Sequence, residues 1–196
     1  MNALNQFAKA LGAHRLSLPL VAIFIAALSA GASAQTGPPV EYGARIVSRQ
    51  TYQGRRLCLA LVDTTDRSRV GLRPCTEQTA DQAFLWKITR RDGGGVYITA
   101  ASRGEDRRME VADFNRFDGG VVQIWGPNAL DGYRSQAWDF FPAAGGIMIV
   151  NINSGKCLNV PMGRNPLDQE LVQQFTCARA ANDTWIIEPV YTRPNR

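Results

Sequence analysis

Apolar residues in this chain fall in short runs separated by clusters of turn formers. The runs are Ala44–Ser48, Leu57–Leu61, Val96–Thr99, Val121–Trp125, Gly146–Val150, Leu171–Phe175 and Trp185–Glu188. Between them lie Arg91–Gly95, Asp118–Gly120, Ala144–Gly146 and Asn153–Gly155, rich in glycine, asparagine and aspartate. Short β-branched and aromatic runs bounded by such clusters predict strands, and no stretch beyond the N-terminal segment sustains a helical period. The expected class is all-β, and the close spacing of strands and turns suits a barrel or a sandwich.

The polar positions carry a second, longer period. Near the C-terminus the chain reads Gly155–Val160 around Cys157, then Leu171–Cys177, then Asp183–Ile187 around Trp185. In the first third it reads Arg56–Leu61 around Cys58, then Val70–Cys75, then Gln82–Trp86, where Phe84 is read in the tryptophan position. The middle third has lost both cysteines but keeps the order in Arg108–Val111, Val122–Pro127 and Gln136–Phe140, with Trp138 in place. Three copies about 50 residues apart make a threefold repeat. At about four strands per copy, the repeat selects a barrel with pseudo-threefold symmetry, which closes its own edges and buries one core.

The first residues read differently. Lys9 and Arg15 stand in a segment without acids, Leu16–Leu28 is apolar but interrupted by Pro19, and Ala32-Ser33-Ala34 has the small-x-small form of a cleavage site. That is the pattern of a secretory signal peptide over residues 1–34, too short and broken for a membrane span. The domain plan is then a signal peptide 1–34, a short linker 35–41, one repeat domain 42–190 and a tail 191–196, with the mature chain exported to an oxidising compartment.

Removal of the leader narrows the chemistry. The only histidine, His14, leaves with it, so a histidine-dependent nucleophile or a His-ligated metal site is excluded. Net charge falls from +5 to +3, since 22 basic residues less Lys9 and Arg15 leave 20 against 17 acids. The remaining arginines lie among acids, and pairs such as Arg90-Arg91 and Arg107-Arg108 form no basic patch with interleaved aromatics, which argues against nucleic-acid binding. Four cysteines allow three pairings. Because each pair occupies the same two positions of its own repeat, Cys58 is expected to join Cys75 and Cys157 to join Cys177. An even count with no Cys-x-x-Cys speaks against catalytic or metal-binding thiols, so neither cofactor nor metal is expected.

The order Cys-Leu-x-Val, then Val-Gln-x-aromatic-x-Cys, then Gln-x-Trp resembles the ricin-type β-trefoil lectins. The likeness covers about Tyr42 to Val190 and implies a β-trefoil of three repeats. It also implies sugar sites built copy by copy: a carboxylate after the first cysteine, an aromatic two residues before the second, and amides around them. A pyranose offers C–H groups on one face and hydroxyls at its edge, so it needs a flat apolar wall beside paired acceptors and donors.

By that likeness the middle copy is the fullest site, with Glu110 as acid, Gln123 and Trp125 as amide and aromatic, and Gln136 opening Gln-x-Trp. The third copy offers Asn159, Gln173, Phe175 and Asn182, with an amide in place of the acid. The first has Ala60 for the acid and Arg73 for the aromatic, and reads as inactive. Other assignments stay open at this point: Trp125 and Phe175 as strand residues filling the barrel wall, Glu110 as a solvated strand residue, and Asp113, Asp118 or Asp168 as site acids reaching in from loops.

The expected function is a secreted carbohydrate-binding protein without catalytic activity, its partners glycans or glycoconjugates, with no stable membrane insertion. A second class is the receptor-binding subunit of a multi-subunit toxin. The lectin-like subunits of cytolethal distending toxins resemble this chain in their Trp185–Pro189 ending, and their other subunits would then be partners. A third, a glycosidase, needs two carboxylates at a defined separation, and no pair stands out in the sequence.

Overall fold

The computed structural model describes residues 42–63, 65, 67–75, 82–103, 107–130, 132, 134–163, 165 and 172–191. The segments read as signal peptide and linker, residues 192–196 of the tail, and Asp168 lie outside the described residues. Among the described residues twelve strands run in chain order: β1 (Tyr42–Tyr52), β2 (Arg55–Leu61), β3 (Val70–Pro74), β4 (Trp86–Arg90), β5 (Val96–Ala100), β6 (Arg108–Val111), β7 (Gly120–Trp125), β8 (Ala137–Ala143), β9 (Gly146–Asn151), β10 (Cys157–Asn159), β11 (Gln173–Phe175) and β12 (Trp185–Tyr191). Strand β12 thus runs one residue into the segment read as tail. Among the described residues no helix is long and apolar enough to cross a membrane.

Antiparallel pairing links β1 to β4, β4 to β5, β5 to β8, β8 to β9, β9 to β12 and β12 back to β1. The ring is closed, so these six strands leave no barrel edge exposed. The other six form three hairpins, β2–β3, β6–β7 and β10–β11, which also touch one another through Arg69 opposite Gln123 and Val121 opposite Gln173. Four strands per repeat, two in the ring and two in a hairpin, make a β-trefoil.

Three tryptophans carry the repeat inside. Trp86, Trp138 and Trp185 are fully buried, and each indole Nε1 donates to a hairpin carbonyl of its own repeat: Leu59 at 3.0 Å, Met109 at 3.0 Å and Leu158 at 2.9 Å. A buried indole N–H needs such a partner, and here the same bond ties ring to hairpin. Trp86 therefore holds the tryptophan position of the first copy, which corrects the assignment of Phe84. The reason is that Gln82–Phe84 forms a short 3-10 turn, which sets Phe84 two residues ahead of the indole, where Gln136 and Asp183 stand in the other copies.

The pairing partners of the tryptophans, Ala44, Val96 and Ile147, each follow a glycine: Gly43, Gly95 and Gly146. A Cβ on Gly95 would lie 2.9 Å from the Trp138 carbonyl oxygen, and one on Gly146 would collide with that of Trp185. These are backbone atoms, so they cannot swing aside.

Both expected disulfides are present, Cys58 with Cys75 and Cys157 with Cys177. In the middle repeat Arg108 stands at the first cysteine position, and its guanidinium lies 3.9 Å from the centre of the Tyr97 ring on β5, a cation–π contact. The third hairpin is held from the second repeat as well. Asp118 accepts from Thr176 N at 2.8 Å and pairs with Lys156 Nζ at 2.7 Å. The Lys156 hydrogen bond first, and the Thr176 bonds after it, hold the Asp118 carboxyl below its ordinary 3.8.

Two outcomes follow from this architecture. Gly146→Ala should lower unfolding free energy by about 1–3 kcal/mol, the range for overpacking a tight site, in denaturant titration; a neutral effect would contradict the close approach to Trp185. A carboxyl held low when folded stabilises fully above its unfolded value and loses that contribution as pH falls through the folded value. Asp118→Asn should accordingly lower Tm at about pH 7, with the gap to the parent narrowing as pH falls below the ordinary carboxylate value. A gap that is constant across that range would remove Asp118 as the anchor.

Candidate functional site

The middle hairpin builds the site. In β7, Val122 and Ile124 point into the core while Gln123 and Trp125 alternate outward, as the period-two geometry of a strand requires. Across the ladder Glu110 faces Gln123 and Arg108 faces Trp125. Trp125 is therefore a half-buried wall residue of an external cleft, and Phe175, 41% exposed in the matching place of β11, also points out. Neither fills the barrel.

Glu110 is only 5% exposed, which overturns its reading as a solvated strand residue. Gln123 Nε2 donates to its Oε1 at 2.9 Å and Gln136 Nε2 to its Oε2 at 2.9 Å. Gln136 is itself fully buried, donating to the Gly126 carbonyl at 2.7 Å and accepting from Asn128 N at 3.1 Å. Expected as a sugar contact, Gln136 instead sits behind the carboxylate and orients it. An acid fixed at both oxygens keeps one geometry, and binding then spends little on ordering it.

A cleft of about 220 Å³ opens over this group, lined by Glu110, Gln123 and Trp125 together with Asp113, Phe114 and Arg67. Asp113 and Phe114 both adopt left-handed backbone, φ 54° each, which is rare for such residues and costly unless the surroundings hold it. Asn153 of the third repeat supplies part of that hold, donating to the Phe114 carbonyl at 3.1 Å. Of the loop acids, Asp113 reaches this cleft and Asp118 serves the third hairpin instead.

Arg67 was not anticipated. It belongs to the β2–β3 loop of the first repeat, and its guanidinium stands 4.3 Å from the centre of the Trp125 ring. The neighbouring repeat brings it there through the bond from Ile124 N to the Ser68 carbonyl, 2.9 Å. Spacing within one copy carries no signal for a residue donated by another.

In the third repeat the ladder sets Asn159 opposite Gln173 and Cys157 opposite Phe175, and Gln173 Nε2 donates to Asn159 Oδ1 at 3.2 Å. The position of Gln136 is taken here by Asp183, as the Gln-x-Trp frame of the third copy implies. Asp183 is fully buried, and its Oδ2 accepts from Ala178 N and Arg179 N. Asn182, one residue earlier, donates to the Val160 carbonyl and corresponds to Ser135, which lines the middle cleft. In the first repeat Ala60, Gly71 and Arg73 occupy the acid, amide and aromatic places, and Phe84 packs with Ala60, Val47 and Cys58. An apolar cluster replaces the polar network there.

Residues 134–193 match the family model described as ricin-type beta-trefoil lectin domain-like. Over those residues the chain is similar to the ricin-type β-trefoil lectin domains. Solved structures share the fold. A designed threefold-symmetric protein, ThreeFoil, matches at TM-score 0.62 and 20% identity over 75% of this chain and 97% of its own. An exo-beta-1,3-galactanase from Clostridium thermocellum matches at TM-score 0.63 and 23% identity over 78% of this chain, and the Polyporus squamosus lectin at 0.58 and 16% over 76%. The chain spans 31% of the galactanase and 50% of that lectin. No curated protein is significantly similar in sequence.

The chain has four tryptophans, three of them fully buried, so Trp125 dominates any quenching by a neutral solute. Arg67→Ala should uncover the indole and raise acrylamide quenching, while Trp125→Phe should abolish most of it. Equal quenching in Arg67→Ala and the parent would show that Arg67 does not lie on the ring in solution.

Proposed function

We propose that the protein is an exported, non-catalytic carbohydrate-binding protein and that its principal glycan site is the cleft of the middle repeat. The observation that carries this reading is the buried Glu110 carboxylate, fixed by two amides at the foot of an outward tryptophan. Sugar hydroxyls meet an oriented acceptor there, and the pyranose C–H face meets the indole. Arg67 can shift aside or remain as a further donor at the rim.

Glu110 and Asp113 share the cleft, which raises the glycosidase alternative. A general acid must turn one carboxyl oxygen toward the leaving group, whereas both Glu110 oxygens are turned to amide donors. That geometry suits a binding role. The toxin-subunit reading draws support from the first repeat, whose acid and aromatic have become Ala60 and Arg73, as befits a surface selected to hold protein neighbours in place of sugars.

A glycan array with the mature protein tests the proposal. Trp125→Ala and Glu110→Gln should each weaken the best ligand by about 1–3 kcal/mol while the circular dichroism spectrum is unchanged. Retained binding in both variants with loss in Phe175→Ala would move the site to the third repeat. Absence of any glycan ligand would transfer support to the toxin subunit, and glycoside turnover abolished by one carboxylate substitution would make the protein an enzyme.

A further inference from the structure

The first repeat has lost its acid and aromatic but not its cleft. An opening of about 290 Å³ lies at the place equivalent to the middle site, with Leu61, Asp63 and Arg73 standing where Val111, Asp113 and Trp125 stand. The equivalence comes from the ladders, since Cys58 faces Arg73 as Arg108 faces Trp125. A second guanidinium enters from the turn after β5: Arg103, which also lines the opening.

The two arginines are unevenly committed. Arg73 Nη2 donates to the Val62 carbonyl at 2.8 Å, which fixes one corner of its fork. Arg103 Nη2 makes a long 3.5 Å contact to the Asp63 carbonyl, and among the described residues its buried Nε has no hydrogen-bond partner. A buried donor without an acceptor is unfavourable, and an anionic ligand at the guanidinium would offset that cost. Asp63, the acid of this cleft, is turned onto its own loop, where its Oδ1 accepts from Thr65 N at 2.7 Å and Thr65 Oγ1 at 2.6 Å. Among the described lining residues, two guanidiniums thus stand beside one carboxylate that is already engaged.

We propose that this first-repeat cleft binds the sulfate or carboxylate group of an acidic saccharide, with Arg73 and Arg103 as its cationic contacts. Planar guanidinium forks match both anions better than ammonium groups do. The apolar wall of Leu61, Val62 and Ala83 beside them receives the less polar body of the ligand. The anion site stands on its own residues; that a saccharide carries the anion rests on the carbohydrate reading of the middle cleft.

The test uses the full mature protein carrying Trp125→Ala, which silences the middle cleft, and titrates galactose 6-sulfate, glucuronic acid, galactose and inorganic sulfate by calorimetry. The two acidic sugars should bind, with affinity falling as salt rises. Adding Arg73→Gln or Arg103→Gln should weaken them about tenfold or more, and Arg103→Lys should lose less than Arg103→Gln. Arg73→Gln keeps a donor for the Val62 carbonyl, and an unchanged Tm certifies each variant as folded. Acidic sugars that bind equally well without either arginine, or no better than galactose, overturn the anion site. Inorganic sulfate binding as tightly as galactose 6-sulfate overturns the saccharide. Failure of the middle-cleft reading shows separately, as glycan binding by the parent that Trp125→Ala does not affect.

Discussion

The hydrogen bond from each buried indole to a hairpin carbonyl is the constraint on which the rest of the structure depends. It lets a large aromatic fill the core of a closed barrel without leaving an orphaned N–H, and it fixes each hairpin relative to the ring. The carbonyls that accept belong to Leu59, Met109 and Leu158, and the next residue in each strand is the acid position of its repeat: Ala60, Glu110 or Asn159. Core packing and site geometry are therefore adjacent links of one chain. The indole sets the strand, and the strand sets the acid.

Given that scaffold, the three repeats diverge in the residues that surround each cleft. The middle repeat keeps a polar network, with Gln136 behind Glu110 and Gln123 beside it. The third keeps the amide pair of Gln173 and Asn159 but turns Asp183 onto its own loop. The first replaces the network by Phe84 packed on Ala60 and sets Arg73 where an aromatic would stand. A backbone held from inside tolerates such exchange, because none of these side chains is needed to keep the ring closed.

Much of this was legible in the chain. The runs at Ala44–Ser48, Val121–Trp125 and Gly146–Val150 lie within strands because short β-branched and apolar runs bounded by turn formers are enough to specify them. Strands β3 and β6 were visible only as repeat members: β3 contains Gly71 and Pro74, and β6 is four residues with two charged side chains, so local propensity points elsewhere. The offset of Phe84 from Trp86 was misread for a related reason. A two-residue shift leaves the composition of Gln82–Trp86 unchanged, and the pairing of Trp86 with Ala44 and its bond to the Leu59 carbonyl discriminate.

The sequence by itself determined the class, the threefold repeat, both disulfide pairings and which copy holds an acid, an amide and a tryptophan together, because these depend on residue type and spacing along one strand. Tertiary structure decided what those residues face. It buried Glu110, put Gln136 behind it, turned Trp125 and Phe175 outward, and brought Arg67 from the first repeat onto Trp125 and Arg103 beside Arg73. These are contacts between segments 20 to 60 residues apart, such as Arg67 with Trp125, and closure of the ring, not local preference, sets them.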